Sequence, residues 1–268
     1  TPFAPGNEAA GVVEAVGAGV TDFKQGDRVT YVIAGGGGYA EKRLAPADRV
    51  VKLPDAISDK QAASMMLKGM TVQYLLHRTY KVQKGDTILL HAAAGGVGLI
   101  ACQWARHLGA TTIGTVGSPD KAKLAADHGC HHTILYRDAD FVAATKAIMP
   151  EGVPVVYDSV GKDTFLKSLD CLRPFGLLAS FGQSSGPVEP LNTGLLAQKG
   201  SLYVTRPTLF TYIAKKPDLV ATADSLFDVV AKGIVRIETT AEYALKDAVR
   251  CHADLEGRKT TGSVILVP

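Results

Sequence analysis

The stretch HAAAGGVGLIACQWARHLG, His91 to Gly109, constrains the fold of this chain more than any other. A buried-looking run, Thr87 to His91, leads into it, and an amphipathic segment follows the glycines. Val97, Ile100, Ala101, Trp104, Ala105 and Leu108 fall at offsets 0, 3, 4, 7, 8 and 11 and form one apolar helical stripe. Gly109 stands where a left-handed C-terminal cap belongs. Strand, glycine loop and helix in that order open a dinucleotide-binding fold. In its G-x-G-x-x-G fingerprint the second glycine lets the backbone approach a pyrophosphate, and the third lets the helix pack against the strand. Gly95 and Gly98 take those two places. Ala93 holds the first, which it fills if its φ stays negative. The amides of Gly96, Val97 and Gly98 then face the phosphates with the helix dipole behind them. A plain glycine-rich turn is the alternative, and the elements downstream weigh against it.

The same alternation continues along the chain. Strands are expected at Thr111–Val116, Thr133–Tyr136, Val153–Tyr157, Leu177–Phe181 and Leu202–Thr205. Helices are expected from Ser118 and Pro119 to near Gly129, over Asp140–Met149 and over Asp163–Leu172. This pattern describes a parallel sheet with helices on both faces, whose ligand lies over the carboxyl ends of the strands. Tyr136, Ser159, Val160, Phe181, Ser184 and Arg206 follow strands and are therefore candidates, Tyr136 to stack on adenine and Phe181 to flank the nicotinamide ribose. An NAD site places a carboxylate at the end of the second strand. Here that place reads TVGSPDK: Gly117 and Ser118 leave room, and Lys121 lies one helical turn away to meet a 2′-phosphate. NADPH is the expected cofactor; the alternative is a solvated Lys121 with Asp120 on the ribose.

The flanking parts read differently. Gly11–Val16 and Arg28–Ile33 are short segments broken by Gly, Asp and Pro, the composition of an antiparallel barrel. A helix from Lys60 to about Tyr80 joins them to the sheet. After Pro207 come a helix over Pro217–Lys232 and β-like runs at Ile237–Glu238 and Ser263–Val267. The expected class is α/β, a doubly wound parallel sheet inserted into a β-barrel domain. Its expected divisions are residues 1–67, 68–206 and 207–268. Gly35–Gly38 reads as a floppy hairpin turn, with a mobile flap as the alternative.

Charge and cysteines narrow the functional classes. The net charge of +3 comes from 29 basic and 26 acidic residues without a basic block, so neither nucleic acid nor an anionic membrane is indicated. No apolar run is long enough to span a bilayer. Four scattered cysteines without a CxxC pair argue against structural zinc and disulfides and fit a reducing cytoplasm. Cys130, His131 and His132 are adjacent, point to opposite faces of an extended chain, and cannot share one metal ion. Neither a nucleophile elbow nor a carboxylate pair supports hydrolysis, and no side chain is singled out as catalytic.

Several motifs together carry a family likeness: GNEAAGVVEAVGAGV (Gly6–Val20), GDRV (Gly26–Val29), KGMTVQYLL (Lys68–Leu76), HAAAGGVG (His91–Gly98), VVYDSVG (Val155–Gly161), FGQSSG (Phe181–Gly186), QKGSLYVTRP (Gln198–Pro207) and TTGSVILVP (Thr260–Pro268). The chain resembles the zinc-independent quinone oxidoreductases of the medium-chain dehydrogenase/reductase superfamily. The zinc-dependent branch has GHE where this chain has Gly6, Asn7 and Glu8, and a four-cysteine lobe that is lacking here. The resemblance implies a GroES-like barrel with a Rossmann domain, NADPH without a metal, and reduction of a quinone or related conjugated carbonyl such as an enone or alkenal. It implies cofactor contacts from Thr71, the loop Ala94–Gly98, Lys121, Tyr136, Ser159, Phe181, Ser184 and Arg258. It also implies a homodimer joined along the sheet edge LYVTRP, Leu202–Pro207. Such proteins usually have a further N-terminal stretch that supplies barrel strands and a nicotinamide-side Asn and Tyr. This chain starts after it, so the expectation is a partial barrel with exposed apolar surface or unpaired strand edges. A dinucleotide-binding protein without turnover is the rival reading.

Overall fold

A computed structural model describes residues 4–257, 259–260 and 262–268. The chain divides into a discontinuous unit, Thr1–Gln73 with Leu209–Pro268, and a continuous unit, Tyr74–Thr208. In the discontinuous unit, β1 (Glu8–Val12), β2 (Arg28–Val32) and β3 (Val50–Lys52) form an antiparallel sheet in that order. Glu8 lies opposite Val32 and Val29 opposite Lys52. The first strand starts earlier than its sequence pattern indicates, because pairing with β2 draws in Glu8 to Ala10 while Gly17 turns the chain away. Next comes α1 (Asp59–Tyr74), which begins with a reciprocal cap. Gln61 N donates to Ser58 Oγ, and Ser58 N donates to Gln61 Oε1. The expected continuation to Tyr80 is instead a π-helical turn, Leu75–Thr79, whose first carbonyl accepts from Tyr157 Oη at 3.0 Å.

The continuous unit runs β4 (Thr87–Leu90), α2 (Gly96–His107), β5 (Thr111–Val116), α3 (Pro119–Asp127), β6 (His132–Leu135), α4 (Phe141–Ile148), β7 (Val153–Asp158), α5 (Phe165–Asp170), β8 (Leu172–Ser180), α6 (Gly194–Gln198) and β9 (Tyr203–Thr205). Its six strands are parallel in the order β6-β5-β4-β7-β8-β9. This is the doubly wound dinucleotide-binding order, with its reversal between β4 and β7. Leu89, Ile113, Val156 and Leu178 are fully buried at its centre, and hydrophobic burial of this kind holds the helices to the sheet. The strand β8 is longer than Leu177–Phe181. Phe175, at φ 60°, makes a kink that lets Leu172 pair with Val153 before Leu177 pairs with Val155.

The chain then returns through α7 (Leu209–Tyr212), α8 (Lys216–Ala231), β10 (Thr239–Ala244), α9 (Ala248–Glu256) and β11 (Ser263–Val267). Gly69 of α1 packs against α8, where an added Cβ would lie 2.5 Å from Leu226 Cδ1. Unlike β1 to β3, the pair β10 and β11 is parallel. A parallel pair needs a crossover, and α9 supplies it. The strand expected at Ile237–Glu238 therefore sits a few residues later. Among the described residues, no helix is long and apolar enough to cross a membrane.

Candidate functional site

The glycine loop joins β4 to α2 at the sheet's point of reversal. Gly95 is the N-cap of α2 in an extended conformation, and the first intrahelical bond runs from Leu99 N to Gly95 O at 2.9 Å. The amides of Gly96, Val97 and Gly98 lie before that bond, with the positive end of the helix behind them. Gly98 has no room for a side chain: an added Cβ would sit 2.4 Å from Ala93 O and 2.5 Å from Ala92 O. The missing first glycine is accommodated from the next strand. A Cβ on Gly114 of β5 would meet the Ala93 methyl at 2.5 Å, so the space the methyl needs is left by Gly114. Ala93 is not left-handed, as its role required, but the preceding Ala92 is, at φ 54°. Ala94 is buried at the turn.

A second group forms after β5 and β6. Ser118 caps α3, its Oγ accepting from Lys121 N at 3.4 Å, which leaves its own hydrogen free to donate. Lys121 is exposed in the first turn of α3. The exposed Tyr136 ring crosses Gly117, where an added Cβ would be 3.0 Å from Tyr136 Oη. Gly117, Ser118, Lys121 and Tyr136 therefore share one corner, and the strand end carries no carboxylate.

The loops after β7 and β8 are tied together. Ser184 N donates to Ser159 O at 3.1 Å, Ser185 N to Val160 O at 2.8 Å, and Phe181 N to Asp158 O at 2.8 Å. An added Cβ on Gly182 would lie 2.6 Å from Ser159 O. Ser159, Val160, Phe181 and Ser184 are thus held in one cluster. Arg206 lies at the end of β9, about 14 Å from β4 at three strand spacings, and donates to its neighbour Pro207 O. Thr71 is buried on α1 in the discontinuous unit. Arg258 lies outside the described residues.

Sequence reasoning missed the buried polar groups under these loops. Asp158 ends β7, and its Oδ1 accepts from Val160 N at 2.7 Å and Gly161 N at 3.1 Å. His91, straight after β4, is equally buried. Each is a polar residue ending an apolar strand, and that is the signal by which it could have been found.

In the discontinuous unit, Gly35–Gly38 is not a free turn. Gly36 N donates to Asn7 Oδ1 at 3.2 Å, Gly37 N to Ala4 O at 2.6 Å and Gly38 N to Gly6 O at 2.7 Å. The Glu8 carboxylate accepts from Leu67 N at 2.6 Å. Burial raises its pKa, with that bond and the Lys68 ammonium acting against the shift. Burial likewise lowers the pKa of Lys68, opposed by Glu8, and Lys68 Nζ donates to Ser263 Oγ at 2.8 Å. Among the described residues, no group of three His, Cys, Asp or Glu is arranged to hold a metal ion.

Residues 1–55 match the family described as alcohol dehydrogenase GroES-like domain, and residues 96–225 match the zinc-binding dehydrogenase family. A quinone oxidoreductase of Pseudomonas aeruginosa is 54% identical over 100% of this chain and 82% of its own length. A 2-haloacrylate reductase of Burkholderia sp. is 47% identical over 100% of this chain and 81% of its own. The crystal structure of Escherichia coli quinone oxidoreductase complexed with NADPH superposes with a TM-score of 0.96 at 50% identity, covering 98% of this chain and 82% of that one. With its GroES-like part and its doubly wound sheet, the chain belongs to the quinone oxidoreductase family of the medium-chain dehydrogenase/reductase superfamily.

Proposed function

We propose that this protein is an NADPH-dependent oxidoreductase that reduces a quinone or a related conjugated carbonyl without a metal. The observation that carries the reading is the set of amides at the start of α2, held against the Ala92–Ala93 turn at a position where no side chain fits. The naming of the relatives as quinone oxidoreductases, and the solved NADPH complex of one, supports it. Gly95 to Gly98 and Ala94 would hold the pyrophosphate, and Gly117, Ser118, Lys121 and Tyr136 the 2′-phosphate and adenine. Ser159, Val160, Phe181 and Ser184 would line the nicotinamide half, with Thr71, Arg206 and Arg258 as further contacts. The cofactor supplies a hydride to the acceptor. The chain supplies alignment and exclusion of water, since a conjugated acceptor is already electrophilic and its oxyanion takes a proton from solvent.

Residues 68–206 form the proposed cofactor domain, with 1–67 and 207–268 as the proposed catalytic domain. Enone or alkenal reduction is the second reading, favoured by the relative named as a 2-haloacrylate reductase. For assembly we propose a homodimer through β9: this outermost strand carries Tyr203, 61% exposed, and beside it Phe175 is 71% exposed. Four buried free cysteines fit a reducing cytoplasm. The test is oxidation of NADPH by the purified chain with a panel of quinones and enals, with NADH in parallel. Turnover with quinones and preference for NADPH are expected; tight NADPH binding with no turnover on any acceptor would favour a binding protein instead.

A further inference from the structure

A buried chain of hydrogen bonds runs beneath the carboxyl edge of the sheet, from β5 through β4 and α5 to β7. His91 Nδ1 lies 2.9 Å from Thr115 Oγ1 on β5, and His91 Nε2 lies 2.9 Å from Ser168 Oγ on α5. The imidazole meets the Phe141 ring edge-on at 4.9 Å between centroids. Ser168 Oγ donates to Thr164 O at 2.8 Å, and Thr164 Oγ1 donates to Asp158 Oδ2 at 2.8 Å. Asp158 Oδ1 then accepts the amides of Val160 and Gly161.

The directions of these bonds follow from counting hydrogens. A serine hydroxyl has one hydrogen, and Ser168 gives it to Thr164 O. At its contact with His91, Ser168 can therefore only accept, so Nε2 carries the proton. Among the described residues, the buried ring meets two hydroxyls and the Phe141 edge and no carboxylate, which favours the neutral form; burial lowers its pKa in the same sense, with the Asp158 carboxylate pulling the other way. Nδ1 is then the bare nitrogen and accepts the Thr115 hydroxyl.

We propose that His91, protonated at Nε2, is a positioning residue for the cofactor. It clamps Thr115 and α5 from either side, and so fixes the amides of Gly96 to Gly98 relative to the Lys121 corner and the Ser159–Val160 loop. The inference rests on the NADPH reading above. None of its members needs to touch the cofactor, and all four of His91, Thr115, Ser168 and Asp158 are buried.

The test measures NADPH dissociation constants and steady-state kinetics for the wild-type chain, Thr115→Val, Ser168→Ala and Thr115→Ser, with thermal denaturation as the folding control. Loss of one buried partner is expected to weaken NADPH binding and raise its KM about tenfold while kcat changes less than about twofold. Thr115→Ser, which keeps the hydroxyl, is expected to restore both. Nitrogen NMR of the wild-type imidazole is expected to show a pyridine-like Nδ1 and a pyrrole-like Nε2 throughout the pH range in which a free imidazole titrates. The opposite tautomer, a charged ring, or wild-type NADPH affinity in both Thr115→Val and Ser168→Ala would overturn this inference alone. Failure of the wild-type chain to bind NADPH would overturn the cofactor reading and this role with it, whatever tautomer the NMR shows.

Discussion

Gly35–Gly38 and Gly95–Gly98 have nearly the same composition, yet the two loops use glycine for different physical reasons. In the first, Gly35, Gly36 and Gly37 have φ of 90°, 85° and 97°, angles an L side chain resists, and Gly35 has open space where a Cβ would go. Conformation is what its first three positions need; only Gly38, where an added Cβ would lie 2.8 Å from Glu8 O, is set by space. In the second, Gly95 has φ of −79° and Gly98 is helical, so any residue could adopt the backbone, but carbonyl oxygens fill the place of a side chain at Gly98. Space is what that loop needs. The first loop spends the amides of Gly36 to Gly38 on neighbouring backbone and on Asn7, whereas in the second Gly95 N donates to Ala92 O and the amides of Gly96 to Gly98 precede the first helical bond, facing outward for a ligand. Similar glycine runs thus differ in whether their donors are already used.

The largest expected effect follows from that lack of space. Gly98→Ala should push α2 off the Ala92–Ala93 turn, destabilise the chain by about 3 kcal/mol and reduce NADPH affinity by about a hundredfold or more, read by denaturant unfolding and cofactor titration. Normal binding in this variant would mean that the amides of α2 are not the cradle. Next in size, Lys121→Gln should cut the kcat/KM preference for NADPH over NADH by about tenfold, the loss of one charge-assisted contact, and leave NADH turnover unchanged. Gly35→Ala tests the other loop: strain alone should cost about 1–2 kcal/mol, measured by thermal unfolding, with NADPH affinity as in wild type. An effect on affinity as large as that of Gly98→Ala would erase the distinction between the loops.

The smallest expected effect concerns pH. Because burial lowers the pKa of His91, the unfolded chain binds a proton that the folded chain refuses. Its contribution is complete above the unfolded imidazole pKa of about 6.5 and is lost as pH falls below it. The melting temperature should therefore decline on acidification, and His91→Gln should flatten the decline. An identical slope in wild type and variant would show that other groups set it.

What could be read in the sequence was what is local. The stripe from Val97 to Leu108 and the Ser118–Pro119 start of α3 are written within a few residues, and both elements are where the pattern puts them. The grouping of Gly117, Ser118, Lys121 and Tyr136 was legible because strand ends can be counted. The hydrogen-bond partners of His91 lie 24 and 77 residues away, so only the folded sheet brings them together. The strand β10 was misplaced because Ile237 is the stronger apolar signal, whereas the actual pairing is fixed by β11 across a helix that the pattern did not announce.

The contact between Ala93 and Gly114 means that volume is shared between the glycine loop and the neighbouring strand: the methyl on Ala93 fills space that a side chain at 114 would need. Substitution at one position then depends on what occupies the other. A methyl at 114 would need glycine at 93, which would restore the full three-glycine fingerprint, and also a shift of Cys130, whose Sγ lies 2.6 Å from the same point. The two positions behave as one steric unit, and the irregular motif and the small residue on the neighbouring strand are a single adaptation.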